Sequence, residues 1–357
     1  MSGRRLPEPR PDLAGLAAYR TDEGDARVRL HANESSDPAE VTLTLGGGAR
    51  TVALNRYPSK GGELADVLAR QLGAAPEQLV LGNGSNEMLL AALLAYGGAG
   101  RRILLFQPTY AMYARLATIA GGTVAHEMVG IPYRLTAATV RAAVERTDPH
   151  VVVLCSPNNP TGSALGPEAV DAAAAARPSA LVVVDEAYAE FGTASAIPAI
   201  ARHRNVAVAR TFSKARAAAG LRLGVLVADA EVAAVLRAVS LPYSPGALTL
   251  AAGAVIAADE EGLAARVAAC RAERDRVAAA LAASGADVQP SAANFLLLRV
   301  ADPAATHAAL LEQGVLVRDV SAWPGCAGGL RVSIGTREEN DAFLAALARV
   351  PAGAAAG

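Results

Sequence analysis

Cysteine is scarce in this sequence, and the spacing of the cysteines excludes several kinds of site. The 357 residues include three cysteines, and no two of them form a C-x-x-C pair. Zinc sites and disulfide frameworks usually show paired or regularly spaced cysteines, so we predict no metal site and no disulfide framework. Buried, reduced thiols are typical of a reducing compartment, and we therefore expect a cytoplasmic protein. The three thiols belong to Cys155, Cys270 and Cys326.

Aromatic residues, surplus charge and long apolar runs are also rare. Aromatic residues make up 4% of the chain and the formal net charge is −1, whereas nucleic-acid-binding proteins usually carry a basic surplus. No segment approaches the roughly 18 uninterrupted apolar residues that indicate a membrane span. The first residues, MSGRRLPEPRPDL, lack the apolar region of a secretory signal. We therefore expect small-molecule partners and neither nucleic acid nor membrane.

Short apolar runs alternate with helical patterns in the middle of the chain. These runs are rich in β-branched residues and are apolar except for the last residue of two of them, which is typical of strands covered on both faces. The alternation predicts an α/β domain with a mostly parallel sheet. The predicted strands are 103–106, 151–155, 181–185, 206–210 and 224–228, and the predicted helices between them include 167–178 and 230–240.

The pattern changes near residue 245, which predicts a second, smaller unit. The Ala-rich region 247–284 predicts one or two helices, and it is followed by predicted strands and a last helix from residue 337. This order is typical of an α+β unit with its own small sheet. The predicted strands are 294–300, 315–318 and 330–334. We divide the chain into an N-terminal arm (1–50) that joins the small unit, a large domain (51–245) and a small domain (246–357).

Two polar clusters follow predicted strands at the sheet edge where doubly wound folds bind ligands. In LVLGNGSNEML, a short apolar run leads through a glycine-rich turn into a helix. The backbone N–H groups of Gly84, Ser85 and Asn86 would then face an anion, although such turns are more often structural. In CSPNNPTG the two prolines predict a rigid turn, and Asn159 could simply cap it.

A third cluster, VVVDEAYAEF, places a carboxylate at the end of a strand whose preceding residues are all apolar. Asp185 ends that strand, and a buried carboxylate is costly unless it is paired. It therefore either caps the next helix or meets a cationic group of a ligand. Tyr188 follows three residues later on the same side of any helix that begins there.

A fourth cluster, TFSKARAAAGLRLG, brings two hydroxyls and two cations into an apolar setting. A lysine at a strand-to-helix junction, such as Lys214, can form a Schiff base with an aldehyde. Arg222 and the hydroxyls of Thr211 and Ser213 can hold a phosphate by charge-assisted hydrogen bonds. A lone lysine would be interpreted as a surface residue. The combination of a lysine, an arginine and two hydroxyls in one apolar stretch arises by chance far less often.

At these residues the sequence resembles the fold-type-I pyridoxal-phosphate enzymes, the aspartate-aminotransferase superfamily. Within it the sequence is most similar to the histidinol-phosphate aminotransferases. The resemblance covers residues 10–350 and implies a large domain with a mostly parallel sheet, a smaller α+β domain and pyridoxal 5′-phosphate as cofactor. It implies exchange of an amino group with a 2-oxo acid such as 2-oxoglutarate. The matching stretches are LHANES, NRYP, GNGSNE, PTYAMY, SPNNPTG, VVVDEAY, RTFSKA, AGLRLG, ANF, VLVRD and LRVSIGTREEN.

The resemblance implies a role for each matching residue around the cofactor. Lys214 would bind the cofactor aldehyde and later carry a proton between substrate and cofactor. Asp185 would pair with the ring nitrogen, while Asn159 and Tyr188 would contact the ring oxygen. A homodimer is implied, in which Tyr57 reaches the cofactor phosphate of the other subunit. The remaining cofactor contacts would be Gly84, Ser85, Asn86, Tyr110, Thr211, Ser213 and Arg222.

The resemblance also implies substrate contacts at both ends of the chain. Tyr19, Arg318 and Arg331 match positions that meet the substrate phosphate, and Asn33 lies in a substrate-facing segment. In relatives that use amino acids, the arginine at the Arg331 position binds the α-carboxylate instead, so it predicts an anion without naming one. Arg216 stands where the family buries an aromatic ring. It would either form an ion pair or meet an extra anionic group on a different substrate.

Other functions remain open on the sequence alone. A related pyridoxal-phosphate enzyme of specialised metabolism would use the same scaffold, as an aromatic or other amino-acid aminotransferase or as a decarboxylase of a phosphorylated amino acid. A non-catalytic cofactor-binding module would leave Lys214 and Asp185 unexplained, and the sequence lacks its GxGxxG fingerprint. A pyridoxal-phosphate-dependent transcription regulator is disfavoured because no basic DNA-binding domain is evident.

Overall fold

The structure, a computed structural model, describes residues 5–18, 39–45, 48–58 and 61–350. Its strands are β1 (Glu40–Leu45), β2 (Gly48–Ala53), β3 (Leu79–Gly82), β4 (Arg102–Gln107), β5 (Thr123–Met128), β6 (Val151–Cys155), β7 (Leu181–Asp185), β8 (Val206–Thr211), β9 (Gly224–Ala228), β10 (Asp287–Gln289), β11 (Phe295–Arg299), β12 (Arg318–Asp319) and β13 (Gly329–Ser333). Its helices are α1 (Gly62–Leu72), α2 (Ser85–Tyr96), α3 (Met112–Ile119), α4 (Ala137–Thr147), α5 (Pro167–Ala176), α6 (Ile197–Ile200), α7 (Ala230–Val239), α8 (Ala247–Ala258), α9 (Glu260–Ala283), α10 (Pro303–Glu312) and α11 (Arg337–Leu347).

A seven-stranded sheet forms the large layer of the described chain. Its strand order is β3-β9-β8-β7-β6-β4-β5. The pairs β8–β7, β7–β6, β6–β4 and β4–β5 are parallel, whereas β9 runs antiparallel to both of its neighbours, β3 and β8. The five strands predicted from apolar runs correspond to β4 and to β6 through β9, and the predicted α/β fold is confirmed.

Helices cover both faces of the large sheet, which explains why its central strands are apolar up to their carboxyl ends. Every residue of β6 and β7 is buried. Val152 and Val182 belong to a core that also contains residues of α1, α4, α5, α6 and α8. Val151 and Val183 point to the opposite face and pack with α2, α3 and α7. Successive strand residues alternate between the two faces, so each face needs its own apolar set.

A second, four-stranded sheet follows in the order β10-β11-β13-β12, with antiparallel neighbours. Its core joins residues of β11 and β13 to residues of α9, α10 and α11. Most of the strand predicted at 315–318 is not formed. Of these four residues, only Arg318 pairs with β13. Val317 packs into this core, and the side chain of Leu316 is 74% exposed. None of the described helices is long and apolar enough to cross a membrane.

The predicted arm, residues 1–50, differs from the structure where the chain is described. Residues 5–18 lie against the large layer and not against the small unit. The Glu8 N–H donates a hydrogen bond to the Ser179 carbonyl, and the Arg10 N–H donates to the Ala95 carbonyl. Farther on, β1 and β2 form an antiparallel hairpin that the weak periodicity of this region did not predict.

The large core also extends past residue 246, where the small domain was predicted to begin. Ala254 and Ala257 of α8 are buried in the same core as Leu64 of α1. The core of the small sheet draws on α9, beginning at Val277. The Ala-rich region 247–284 therefore forms two helices that serve different cores.

The strand directions bring several chain segments to one edge of the large sheet. Cys155 and Asp185 are neighbours at the ends of β6 and β7. Because β9 runs in the opposite direction, its first residue, Gly224, lies beside Thr211 at the end of β8. Gly224 also lies against the start of α2, since a Cβ built there would sit 2.5 Å from the Gly84 carbonyl carbon.

We predict that Gly224→Ala lowers the free energy of unfolding by about 1–3 kcal/mol, because backbone has to move to admit the methyl group. The matched control is Gly220→Ala, where an added Cβ meets no described atom within 4 Å. Urea unfolding of the two variants and the unmodified protein measures the difference. Equal stabilities of the two variants would show that the start of α2 tolerates displacement.

Candidate active site

A cavity of about 280 Å³ opens at this edge of the large sheet. It brings together residues that the sequence predicted separately, from the segments that follow β3, β4, β6, β7 and β8. One group of predicted residues surrounds the start of α2: Ser85, Asn86, Thr211, Ser213 and Arg222. A second group lines the opposite part: Tyr110, Asn159, Asp185, Tyr188 and Lys214, with Arg331 entering from β13.

The first group forms an anion cradle at the N-terminus of α2. Gly84 precedes this helix with φ +84°, and none of the described side chains caps it. A Cβ at Gly84 would lie 2.5 Å from Arg222 Nη2, so the guanidinium rests directly over the helix start. Arg222 Nη1 donates to Ser213 Oγ at 3.2 Å, and Thr211 Oγ1 donates to Ser213 Oγ at 3.0 Å. Backbone N–H groups, an arginine and hydroxyls converge there, which is the donor set that phosphate prefers.

Asp185 is a buried carboxylate in the wall of the cavity, with 3% of its surface exposed. Its Oδ1 accepts a hydrogen bond from the Ala187 N–H at 3.0 Å, and its Oδ2 accepts one from the Tyr113 hydroxyl at 2.7 Å. Burial raises the pKa of Asp185, while these hydrogen bonds and the charge of Lys214 act in the opposite direction. Since both direct donors are neutral, the site offers a counter-ion to a cationic ligand group.

Lys214 is the amine of the cavity. Burial lowers its pKa, and the positive charges of Arg331 and Arg222 lower it further, while Asp185 opposes this effect. Its Nζ lies 5.5 Å from the centre of the Tyr188 ring. A lysine with a lowered pKa has a larger neutral fraction near neutral pH, and the neutral amine is the nucleophile that attacks carbonyl groups.

Arg331 connects this cavity to a second, wider one of about 690 Å³ that Arg318 also lines. Arg331 Nη1 donates to Asn159 Oδ1 at 2.6 Å, and its guanidinium lies 5.5 Å from the centre of the Phe295 ring. Arg318 is its cross-strand neighbour in the pair β12–β13. Burial lowers the pKa of Arg331, and the charge of Arg318 contributes. Two neighbouring cations therefore define an anion-binding end.

Two predicted residues, Tyr19 and Asn33, lie outside the part of the chain that the structure describes, and their roles stay predictions. Tyr57 is described but does not line the cavity. Tyr57 is 49% exposed, and its ring stacks on Tyr243 with centroids 4.0 Å apart. Its assignment to a second subunit stays a prediction.

Arg216 is also outside the cavity, which corrects its prediction as a substrate contact. Its Nη1 donates to the carbonyl oxygens of Ile256 and Ala257, the last turn of α8, and its Nη2 donates to Gln71 Oε1. The guanidinium lies 5.0 Å from the centre of the Phe212 ring. The last carbonyl groups of a helix lack intrahelical donors, so Arg216 is a helix cap that joins α8 to α1.

Sequence reasoning missed Tyr113 and Cys155, which also line the cavity. Both lie within stretches that were noticed for other residues. Tyr113 follows Tyr110 by one helical turn, and their rings meet edge-on with centroids 5.4 Å apart. Cys155 ends the strand next to that of Asp185. Cys155 could have been predicted as a site residue, because the parallel strands β6 and β7 end side by side. The position of Tyr113 could not, because it depends on how α3 packs.

The fold and the site together define an aminotransferase: a mostly parallel sheet with an anion cradle, a buried carboxylate and a buried lysine at one edge. The profile of the family of class I and II aminotransferases matches residues 33–347. The chain belongs to this family.

Within the family, the chain is similar to histidinol-phosphate aminotransferases over nearly its whole length. It is 42% identical to that of Frankia casuarinae, covering 98% of this chain and 91% of the relative. It is 42% identical to that of Thermobifida fusca, covering 95% and 94%. The crystal structure of histidinol-phosphate aminotransferase from Sinorhizobium meliloti in complex with pyridoxal-5′-phosphate is 28% identical, with a TM-score of 0.76 and coverage of 83% of both chains.

We predict that Arg216→Phe lowers the free energy of unfolding by about 1–3 kcal/mol, because buried acceptors on α8 and Gln71 lose their donors. The order of preference among amino donors should not change. The control is Arg141→Phe, which alters an exposed arginine of α4. Thermal unfolding and a donor panel measure both effects; a changed donor order with unchanged stability would return Arg216 to the substrate site.

Proposed function

We propose that this chain is a pyridoxal-phosphate-dependent aminotransferase that takes the amino group of histidinol phosphate and passes it to a 2-oxo acid such as 2-oxoglutarate. The observation that carries the proposal is the pair of neighbouring cations, Arg318 and Arg331, at the open side of a cavity that holds Lys214 and Asp185. The similarity to histidinol-phosphate aminotransferases over nearly the whole chain supports it. We further propose a cytoplasmic location, which suits three reduced thiols.

The residues of the cavity fit pyridoxal phosphate. The uncapped start of α2 beneath Arg222 suits the phosphate group, and the buried carboxylate of Asp185 suits a protonated ring nitrogen. Lys214 supplies an amine in the same cavity. When bound, this cofactor supplies an aldehyde that reacts with amines and a ring that accepts electrons.

The side chains of this protein then hold the reactants and move a proton. Lys214 Nζ, whose pKa is lowered by burial, would carry the proton from the Cα of the amino donor to the cofactor in the first half of the reaction, and from the cofactor to the Cα of the accepting oxo acid in the second. Asp185 would keep the proton on the ring nitrogen by pairing with it. Asn159 and Tyr188 would contact the ring oxygen, and Tyr110 would cover a face of the ring; all of them line the cavity.

The two arginines suit an anionic group on the donor, and the similarity to histidinol-phosphate aminotransferases favours phosphate as that group. Arg331 reaches into the inner cavity, where its present hydrogen-bond partner is the neutral side-chain oxygen of Asn159. Arg318 lines only the wider, outer cavity. A substrate phosphate that lies between them would meet both cations, and guanidinium groups bind phosphate with paired hydrogen bonds.

We predict that Arg318→Ala and Arg331→Ala each weaken binding of histidinol phosphate by about tenfold to a hundredfold, the effect of losing a charge-assisted contact. Histidinol, which lacks the phosphate, should bind weakly to the unmodified protein and lose no further affinity in Arg318→Ala. Spectral titration of the holoenzyme with each compound measures binding, and steady-state turnover measures the reaction.

Two variants control this experiment. Arg337→Ala removes a cation near the outer cavity, 66% exposed on α11, and should leave donor affinity unchanged. Lys214→Ala should fold but lose turnover, which gives the baseline. If histidinol phosphate is no better a donor than aromatic amino acids, and both arginine variants leave its affinity unchanged, the histidinol-phosphate assignment is wrong and a related aminotransferase remains.

We also propose that the protein is a homodimer in which Tyr57 contacts the cofactor phosphate of the partner subunit. Its phenol lies outside the cavity of its own chain and is half exposed, beside the turn that holds Tyr243. A residue so placed on the surface can serve a neighbouring copy without a rearrangement of its own chain.

We predict that mixing Lys214→Ala with Tyr57→Ala restores activity that neither variant has alone. In the hybrid dimer, the site with Lys214 would receive an intact Tyr57 from the other chain, while the second site would lack both. Turnover is measured after the two proteins are mixed and allowed to exchange subunits, with each variant alone as control. Absence of recovery in hybrids verified by mass spectrometry would assign Tyr57 to its own chain.

A further inference from the structure

Tyr113 lines the cavity, but neither the sequence analysis nor the proposed reaction assigns it a role. Its ring is 1% exposed, and its hydroxyl donates a hydrogen bond to Asp185 Oδ2 at 2.7 Å. The other oxygen of Asp185 accepts from the Ala187 N–H. Each carboxylate oxygen is therefore held by one neutral donor, and Tyr113 supplies the only side-chain hydroxyl that the described chain directs at this carboxylate.

The position of Tyr113 is fixed by the same turn that carries Tyr110. The Tyr113 N–H donates to the Tyr110 carbonyl at 3.0 Å, and the two rings are nearly perpendicular, at 87°. The beginning of α3 therefore presents one ring to the cavity and one hydroxyl to the carboxylate beneath it. A buried phenol hydroxyl requires a hydrogen-bond partner, and Asp185 is that partner.

Four ionisable groups face Asp185 from the elements packed around it. Tyr113 comes from α3, Cys155 from β6, Tyr188 from the turn after β7, and Lys214 from the segment after β8. Burial raises the pKa of Cys155 to about 12 and raises those of both tyrosines, so these three groups remain neutral near neutral pH. Lys214 is the only cation among the four.

We propose that Tyr113 is the positioning residue for Asp185: its buried hydroxyl keeps the carboxylate ionised and fixed in orientation, ready to pair with the cationic ring nitrogen of the cofactor. A hydrogen bond donated to a carboxylate favours the charged form. Without it, no hydrogen bond would oppose the effect of burial at Oδ2, and Asp185 would hold its own proton over a wider range of pH. This inference rests on the proposed function, since it concerns the same cofactor.

Tyr113→Phe removes the hydroxyl and keeps the ring. The test compares binding of two compounds to the apoprotein: pyridoxal phosphate, and its carbocyclic analogue in which CH replaces the ring nitrogen. We expect the ratio of the two affinities to fall about tenfold in Tyr113→Phe, the effect of one hydrogen bond to a charged group. Affinity for the analogue should not change, because it has no ring nitrogen to pair.

The matched control is Tyr96→Phe, which removes the hydroxyl of another tyrosine that is 1% exposed, in α2. Its affinity ratio should equal that of the unmodified protein. A second readout is the pH dependence of turnover: Tyr113→Phe should move the acid limb to higher pH, because loss of the donor raises the pKa of Asp185. Tyr96→Phe should leave that limb in place.

A second replacement keeps the inference testable if Tyr113→Phe folds poorly. A 3-fluorotyrosine at position 113 retains shape and donates a stronger hydrogen bond, so the affinity ratio should rise. Asp185→Asn separates the possible failures. If it abolishes the preference for pyridoxal phosphate while both changes at Tyr113 leave the ratio unchanged, Tyr113 is structural and the inference is wrong. If the unmodified protein binds both compounds equally, pairing with Asp185 fails and the inference falls with it.

Discussion

A single buried charge, the carboxylate of Asp185, governs the arrangement of this site. A carboxylate with so little contact with water is stable only if the protein or a ligand replaces its hydration. The chain supplies two neutral hydrogen bonds and leaves the charge itself to be balanced. Asp185 lies at the end of β7, the central strand of the large sheet, and Lys214 lines the same cavity and supplies a positive charge that favours the carboxylate.

Three cations line the cavity together with Asp185. Arg222 lies over the start of α2, Lys214 lines the same cavity, and Arg331 lines both this cavity and the wider one. Such a distribution suits a ligand with a cationic ring between two anionic ends. Because Arg222 and Arg331 are held by hydrogen bonds to Ser213, the Ala219 carbonyl and Asn159, little reorganisation of these two cations is needed when charge moves during the reaction.

The parts of this structure that the sequence predicted depend on local patterns. Continuous apolar runs identified β6, β7 and β9, and the rule that ligands lie beyond the strand ends brought Asp185 and Lys214 together. The features that were missed depend on packing between distant segments. The contact of Arg216 with the last turn of α8 requires knowledge of where that helix ends, and the reach of Tyr113 to Asp185 requires the tilt of α3. The roles of Tyr19, Asn33 and Tyr57 stay predictions.

The anion cradle joins two segments that are far apart along the chain, the turn at Gly84 and the loop that ends at Arg222. Only the antiparallel course of β9 brings them together, so the unfolded chain has no such cradle. A phosphate-bearing cofactor would therefore bind the native state alone and, at a hundred times its Kd, would add about 2.7 kcal/mol to the free energy of unfolding. Bound cofactor would then hold the chain in its folded state as well as take part in catalysis.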